Sequence, residues 1–224
     1  MTRPVIAIDG PAGAGKSTVS RRVAQALGLR YVDTGAMYRV VGVLADRGGI
    51  DCADDAALAA LTERLDLRFD EQPDGVHVIA NGSDLSTAIR TAAAGQLASK
   101  VSTNPVVRTR LVALQRAMAR GGGVVMEGRD IGTVVLPDAT IKIFLVASAQ
   151  ERARRRAAEL TARGETADVE QMTREIAERD RRDETRAHSP LRPADDAVRL
   201  DTTSEPLEAV VARVLTLLAT RQNP

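Results

Sequence analysis

The run Gly10-Pro11-Ala12-Gly13-Ala14-Gly15-Lys16-Ser17 matches the spacing G-x-x-x-x-G-K-[ST] at every fixed position. Residues of these types at this spacing bind phosphate. Glycines let the backbone wrap an anion with its N–H groups turned inward, and a helix starting near the lysine adds its positive dipole end. The lysine reaches the β- and γ-phosphates of a nucleoside triphosphate, and the following hydroxyl can ligate Mg²⁺. Lys16 and Ser17 hold these two places, and Thr18 follows in the first helical turn. A chance glycine-rich turn is the alternative. It is set aside because an apolar run, Val5-Ile6-Ala7-Ile8, enters the motif, and a helical spacing of Val19, Val23 and Leu27 leaves it, closed by Gly28. The motif specifies triphosphate binding without specifying the activity.

The other cations narrow that activity. Of 31 basic residues only Lys16, Lys100 and Lys142 are lysine, so 28 are arginine, the planar fork that suits phosphate. Codon bias explains their number but not their places. Asp33-Thr34-Gly35-Ala36-Met37-Tyr38-Arg39 and Glu127-Gly128-Arg129-Asp130-Ile131-Gly132-Thr133 each follow a predicted strand, which puts them at the carboxyl edge of a sheet, where ligands bind in such folds. Arg152 and Arg156 share one helix face, and Arg179, Asp183 and Arg186 share another. These faces flank Gly164 and suit a mobile cover over phosphates. Arg154, Arg174 and Arg181 read instead as exposed helix salt bridges, worth little each. Glu127 has two open readings: a carboxylate reaching Mg²⁺ through water, or a solvated strand end. Two phosphoryl-bearing substrates need several cations, so the pattern suggests transfer from a nucleotide to a phosphorylated acceptor. Other readings stay open at this point: a kinase for another small acceptor such as shikimate, a nucleotide-dependent switch, or a nucleic-acid-dependent ATPase. An absent N-K-x-D motif weighs against a guanine-nucleotide switch.

Positioning such groups takes alternating strands and helices. Strands are expected at residues 5–8, 30–32, 124–126, 141–146 and 198–200. Helices are expected at 17–27, 34–47, 54–65, 86–100, from Asn104-Pro105 onward, 148–163, 169–187 and from Leu207. Residues 67–86 alternate between turns at Pro73-Asp74-Gly75 and Asn81-Gly82 and read as a small antiparallel insert. The order predicts an α/β fold with a parallel sheet wrapped by helices. At 224 residues the chain is expected to form one domain with an insert. A net charge of +1 and an aromatic content of 2% argue against nucleic acid as a partner. The single cysteine, Cys52, excludes an internal disulfide and is expected to be inert. No apolar run is long enough for a membrane span, and no secretory signal is visible, so a cytoplasmic protein is expected. His77 and His188 read as surface residues.

Together with Glu178-Arg179-Asp180-Arg181-Arg182-Asp183, the two edge runs and the phosphate loop make the chain resemble bacterial cytidylate kinases over essentially its whole length. The resemblance implies a P-loop nucleoside-monophosphate-kinase fold: a five-stranded parallel sheet wrapped by helices, with a small antiparallel β insert and a helical lid. It implies one kinase domain over 1–224, with the core at about 1–66 and 87–224, the monophosphate-binding insert at about 67–86 and the lid at about 148–168. The implied reaction moves the γ-phosphoryl of ATP to CMP or dCMP, with Mg²⁺, in pyrimidine nucleotide biosynthesis and salvage. Gly10, Pro11, Ala12, Gly13, Ala14, Gly15, Lys16, Ser17, Thr18, Arg152 and Arg156 are then expected to hold ATP. Thr34, Ser99, Arg108 and Asp130 are expected to read cytosine. Arg39, Arg129 and Arg186 would take the acceptor phosphate, and Arg179 and Asp183 would lie near the ribose and the phosphate bridge. Lys16, Arg129, Arg156, Arg179 and Arg186 would carry catalysis, with Ser17 and Glu127 toward the metal. Two positions depart from the family: Thr34 stands where Ser is common, and Glu127 where Asp is common. A monomer acting on small nucleotides, away from membranes and nucleic acid, is expected.

Overall fold

Short runs that are apolar at nearly every position bury both faces, which is the signature of strands in a parallel sheet covered by helices. The computed structural model describes residues 3–72, 75–162, 164, 166–186 and 189–222. Along the chain the elements are β1 (Val5–Asp9), α1 (Lys16–Leu27), β2 (Arg30–Asp33), α2 (Thr34–Arg47), α3 (Asp55–Glu63), β3 (Leu67–Gln72), β4 (Gly75–Ala80), β5 (Ser83–Asp84), α4 (Ala92–Val101), α5 (Pro105–Ala119), β6 (Val124–Gly128), β7 (Ile141–Val146), α6 (Ala149–Thr161), α7 (Val169–Thr185), β8 (Val198–Asp201) and α8 (Leu207–Gln222). A five-stranded sheet runs in the order β2-β6-β1-β7-β8, with β1 parallel to both β6 and β7, and β7 parallel to β8. This is the α/β architecture expected.

The chain divides into two compact units. One runs to Tyr31 and resumes at Gly121. Its core is the sheet: Ile6, Ile8, Met126, Ile143, Leu145 and Leu200 are fully buried, under α1 and α8. α6 and α7 pack against each other. The other unit is Val32–Arg120. Met37, Val40 and Val41 of α2 form its core with Leu58, Val101, Val107 and Leu111. It also holds the antiparallel sheet β3-β4-β5. Asn81 and Gly82 both take positive φ, 50° and 78°, as a two-residue hairpin turn requires. Of the turn expected at Pro73-Asp74-Gly75, Pro73 and Asp74 lie outside the described residues, as do Arg163 and Ala187 at the ends of two expected helices.

One helix divides. The pattern over 86–100 resolves into a 3-10 turn, Ala88–Arg90, and α4. Thr91 separates them: its backbone is extended, and its hydroxyl accepts the Ala94 N–H at 3.1 Å. The cap bond competes with helix continuation at this residue. The segment after β6 carries a feature the sequence pattern did not signal, a single π-helical turn at Ile131–Val135.

Candidate active site

In the unit that contains the sheet, the phosphate loop joins β1 to α1. Gly10 has φ +146°, and a Cβ there would lie 2.1 Å from the Leu145 carbonyl oxygen, so only glycine fits. Gly15 caps α1 in the left-handed conformation with φ 85°; no side chain caps this helix, and its first turn has no acidic residue. The positive helix end is therefore uncompensated by the chain and suits an anion. Lys16 is 7% exposed, and its Nζ donates to the Pro11 carbonyl at 2.8 Å. Burial and then Arg129 hold the Lys16 ammonium below its ordinary pKa; Glu127 and Asp9 oppose the shift and Arg179 adds to it. Ser17 is half-buried and Thr18 exposed.

Arginines brace this loop from behind. Arg152, 4% exposed, donates from Nη1 to the Ala12 carbonyl at 2.9 Å and to Asp180 Oδ1 at 3.1 Å, from Nη2 to Asp180 Oδ2, and from Nε to the Ala147 carbonyl at 3.0 Å. Arg155 donates to the hydroxyl and carbonyl of Thr202, whose own hydroxyl donates to Ala14 at 3.1 Å. Arg156 pairs at the surface with Glu159, at 2.9 Å. Helical spacing singled out Arg152 and Arg156. Arg155 was missed because only packing against the end of β8 distinguishes it from its neighbours. Arg154, Arg174 and Arg181 are exposed.

Beside Lys16 lies a charge cluster. Arg129 Nε donates to Asp183 Oδ2 at 3.0 Å. Burial raises the Asp183 pKa, but Arg129, Arg179 and Arg186 outweigh it and hold the carboxyl below its usual range. Arg186 donates from Nε to the Ser189 carbonyl, and its Nη2 stands 3.9 Å from Asp130 Oδ1, both side chains being 7% exposed. Glu127 is 3% exposed and accepts from the Tyr31 hydroxyl, which removes the solvated reading for this carboxylate. Sequence reasoning did not single out Tyr31 or Asp9. The signal for Asp9 was present: a charged residue closing a strand that is otherwise apolar. Asp9 accepts the Ile131 and Gly132 N–H groups at 2.8 and 2.7 Å, and its burial pushes its pKa up to about 6. Among the described residues, no three His, Cys, Asp or Glu side chains cluster as metal ligands. Two oxygen donors stand near the loop for such an ion, the half-buried Ser17 hydroxyl and the Glu127 carboxylate, which acts electrostatically on Lys16. A hard cation there would complete its shell with phosphate and water, as Mg²⁺ commonly does.

In the other unit, Asp33 does two tasks. Its Oδ1 caps α2 by accepting the Ala36 N–H at 2.9 Å, and its Oδ2 accepts from Arg39 Nη2 at 2.7 Å, fixing that guanidinium. Thr34 is 3% exposed. Arg108, on α5, is 5% exposed; its Nη1 donates to the Ser102 carbonyl at 3.4 Å, and its guanidinium lies 5.8 Å from the Tyr38 ring centre. Ser99 is half-buried on α4. Within this unit the structure thus places Thr34, Arg39, Ser99 and Arg108 on α2, α4 and α5. His77 pairs with Asp84 at 2.6 Å on the small sheet. His188 lies outside the described residues. Cys52 is half-buried against the apolar core of its unit. No helix among the described residues is long and apolar enough to cross a membrane.

The family model described as cytidylate kinase matches residues 6–220. A cytidylate kinase of Pelotomaculum thermopropionicum is 55% identical over 213 residues, covering 95% of this chain and 94% of the relative. A cytidylate kinase of Geobacillus kaustophilus is 50% identical, covering 96% of each chain. Among solved structures, a gluconokinase from Sinorhizobium meliloti matches with a TM-score of 0.51 at 17% identity, covering 98% of this chain and 93% of that one. A shikimate kinase from Bacteroides thetaiotaomicron matches at 0.50 and 14%, covering 96% and 98%. At these identities the two structures share the fold alone.

Proposed function

This chain belongs to the cytidylate kinase family, and we propose that it transfers the γ-phosphoryl of ATP to CMP or dCMP, giving ADP and CDP or dCDP. The observation that carries this reading is the charge cluster beside the phosphate loop, where Arg129, Arg179 and Arg186 surround Asp183 and two of them act on Lys16. Gly10 to Thr18 take the ATP phosphates through backbone N–H groups and Lys16. Arg152 holds the loop's shape for them, and Arg156 belongs to the lid of residues 148–168. Thr34, Ser99, Arg108 and Asp130 read the cytosine. Arg39, Arg129 and Arg186 take the acceptor phosphate, with Arg179 and Asp183 toward the ribose and the bridge. Ser17 would hold Mg²⁺ through its hydroxyl and Glu127 would reach it through water; the ion when bound neutralises charge on the donor phosphates.

The chemistry asks little beyond position and charge. The acceptor is a phosphate oxygen, already ionised at neutral pH, so no general base is needed. In-line transfer requires no covalent enzyme intermediate. Lys16 and the arginines neutralise charge that builds on the transferring group. The enzyme works as a cytoplasmic monomer on free nucleotides.

An ADP-release assay with each nucleoside monophosphate tests the reading. CMP and dCMP are expected to stimulate turnover well above UMP or AMP; failure of both cytidylates to do so would overturn it. Arg39→Ala removes a charge-assisted contact, worth about 1.5–3 kcal/mol. It is expected to lower kcat/KM for CMP roughly 10- to 150-fold while leaving ATP binding intact. Unchanged CMP kinetics would take Arg39 out of the site.

A further inference from the structure

The geometry points to Asp9 as a positioning residue for phosphoryl transfer, clamping the turn that follows Arg129 and Asp130 to the strand that launches the phosphate loop. The inference rests on the kinase reading above. Asp9 is the last residue of β1, and Gly10 opens the loop immediately after it. With β6 and β7 on either side of β1, the Asp9 side chain is 5% exposed. A carboxylate in such a place is costly unless its oxygens are used. Both are: Oδ1 accepts the N–H of Ile131 at 2.8 Å, and Oδ2 that of Gly132 at 2.7 Å.

Those are the first two N–H groups of the π-helical turn Ile131–Val135, and opening N–H groups of a helical turn have no partner within it. The residue in the cap position is Asp130, a type well suited to capping, yet its side chain makes no cap bond. Its carboxylate faces Arg186 instead, at 3.9 Å. Asp9 therefore supplies the cap from a different strand, while the Asp130 carboxylate stands toward Arg186. The fit is close: a Cβ on Gly132 would lie 3.4 Å from Asp9 Oδ2 and 3.2 Å from Lys142 Cδ. One rigid central strand thus sets both the start of the donor loop and the turn that follows Arg129 and Asp130. A shift of the turn would move those two side chains relative to Lys16.

Asp9→Asn tests this at constant volume. The amide has one acceptor oxygen, and its NH₂ group faces the second N–H, so one arm of the clamp is lost. Misplacement of reacting groups by about 1 Å can cost about 100-fold in rate, and a fall of that order in kcat is expected, with a raised KM for CMP. Binding of a non-hydrolysable ATP analogue and the melting temperature are expected to stay near those of the wild type. Amide hydrogen exchange is expected to quicken at Ile131 and Gly132 but not along β6. Wild-type kinetics in Asp9→Asn would overturn the proposal. So would a collapse of melting temperature with loss of ATP-analogue binding, which would make Asp9 a general folding residue. A wild-type enzyme inert toward CMP would instead overturn the kinase reading and the proposal with it.

Discussion

Lys16→Met is expected to lower kcat about 100- to 1,000-fold with the fold intact, the scale on which a preorganised charge acts on a developing transition state. The lysine is buried and aimed along the loop, with Nζ held at 2.8 Å by the Pro11 carbonyl. Methionine matches its length and apolar stem but carries no charge. Burial and Arg129 already hold the Lys16 ammonium below its ordinary pKa, so the charged form is disfavoured in the folded chain without nucleotide. For a lysine with a lowered folded pKa, the charge costs stability at neutral pH, and removing it does not destabilise. The expected pair of results is therefore a lost rate and an unchanged or raised melting temperature, read by ADP release and by thermal unfolding. A variant retaining more than a tenth of the wild-type kcat would remove Lys16 from the transfer step.

Asp183→Asn is expected to act in the opposite order, on stability first. Asp183 is 8% exposed and accepts from Arg129 at 3.0 Å, with Arg179 and Arg186 adding to the field that depresses its pKa. Removing one partner from a buried charge network leaves the others uncompensated, at a cost of about 3 kcal/mol or more. For a chain of this size that lowers the melting temperature by roughly 6–12 °C. Because the folded pKa is depressed, the carboxylate's contribution is fully present above the unfolded value near 4 and is lost as pH falls through the folded pKa. The gap between wild type and variant should stay constant from pH 7 to about 5 and close below about pH 4. CMP or sulfate should restore part of the lost stability by standing in for the missing negative charge. An equal melting temperature at pH 7, or a gap that widens in acid, would show that Asp183 does not balance these arginines.

How much of this was legible in the chain depends on whether the signal is local. The phosphate loop was readable residue by residue, because a glycine that must clear the Leu145 carbonyl and a lysine that must reach phosphate are demands on single positions. Strand and helix order was readable because apolar periodicity is local too, and it placed Arg129 and Asp130 directly after β6 and Arg39 in the second turn of the helix that follows β2. Caps at Asp33, Asp54, Asn104 and Asp168 obey the same rule. The break at Thr91 was harder, since one hydroxyl decided between continuing a helix and starting another.

The sequence by itself determined the nucleotide-binding chemistry, the α/β class and the residue types available for a second phosphate. Tertiary structure alone decided which charges meet. Arg155 is singled out by no spacing in the sequence, only by Thr202 lying against it from 47 residues away. Glu127 is a buried acceptor of the Tyr31 hydroxyl because β2 and β6 are adjacent. Asp9 caps a turn 122 residues downstream because β1 lies at the centre of the sheet. Local propensity acts over a few residues, whereas burial and Coulomb interaction act between whatever the fold brings together. Roles that depend on partners distant in the chain become visible only once it is packed.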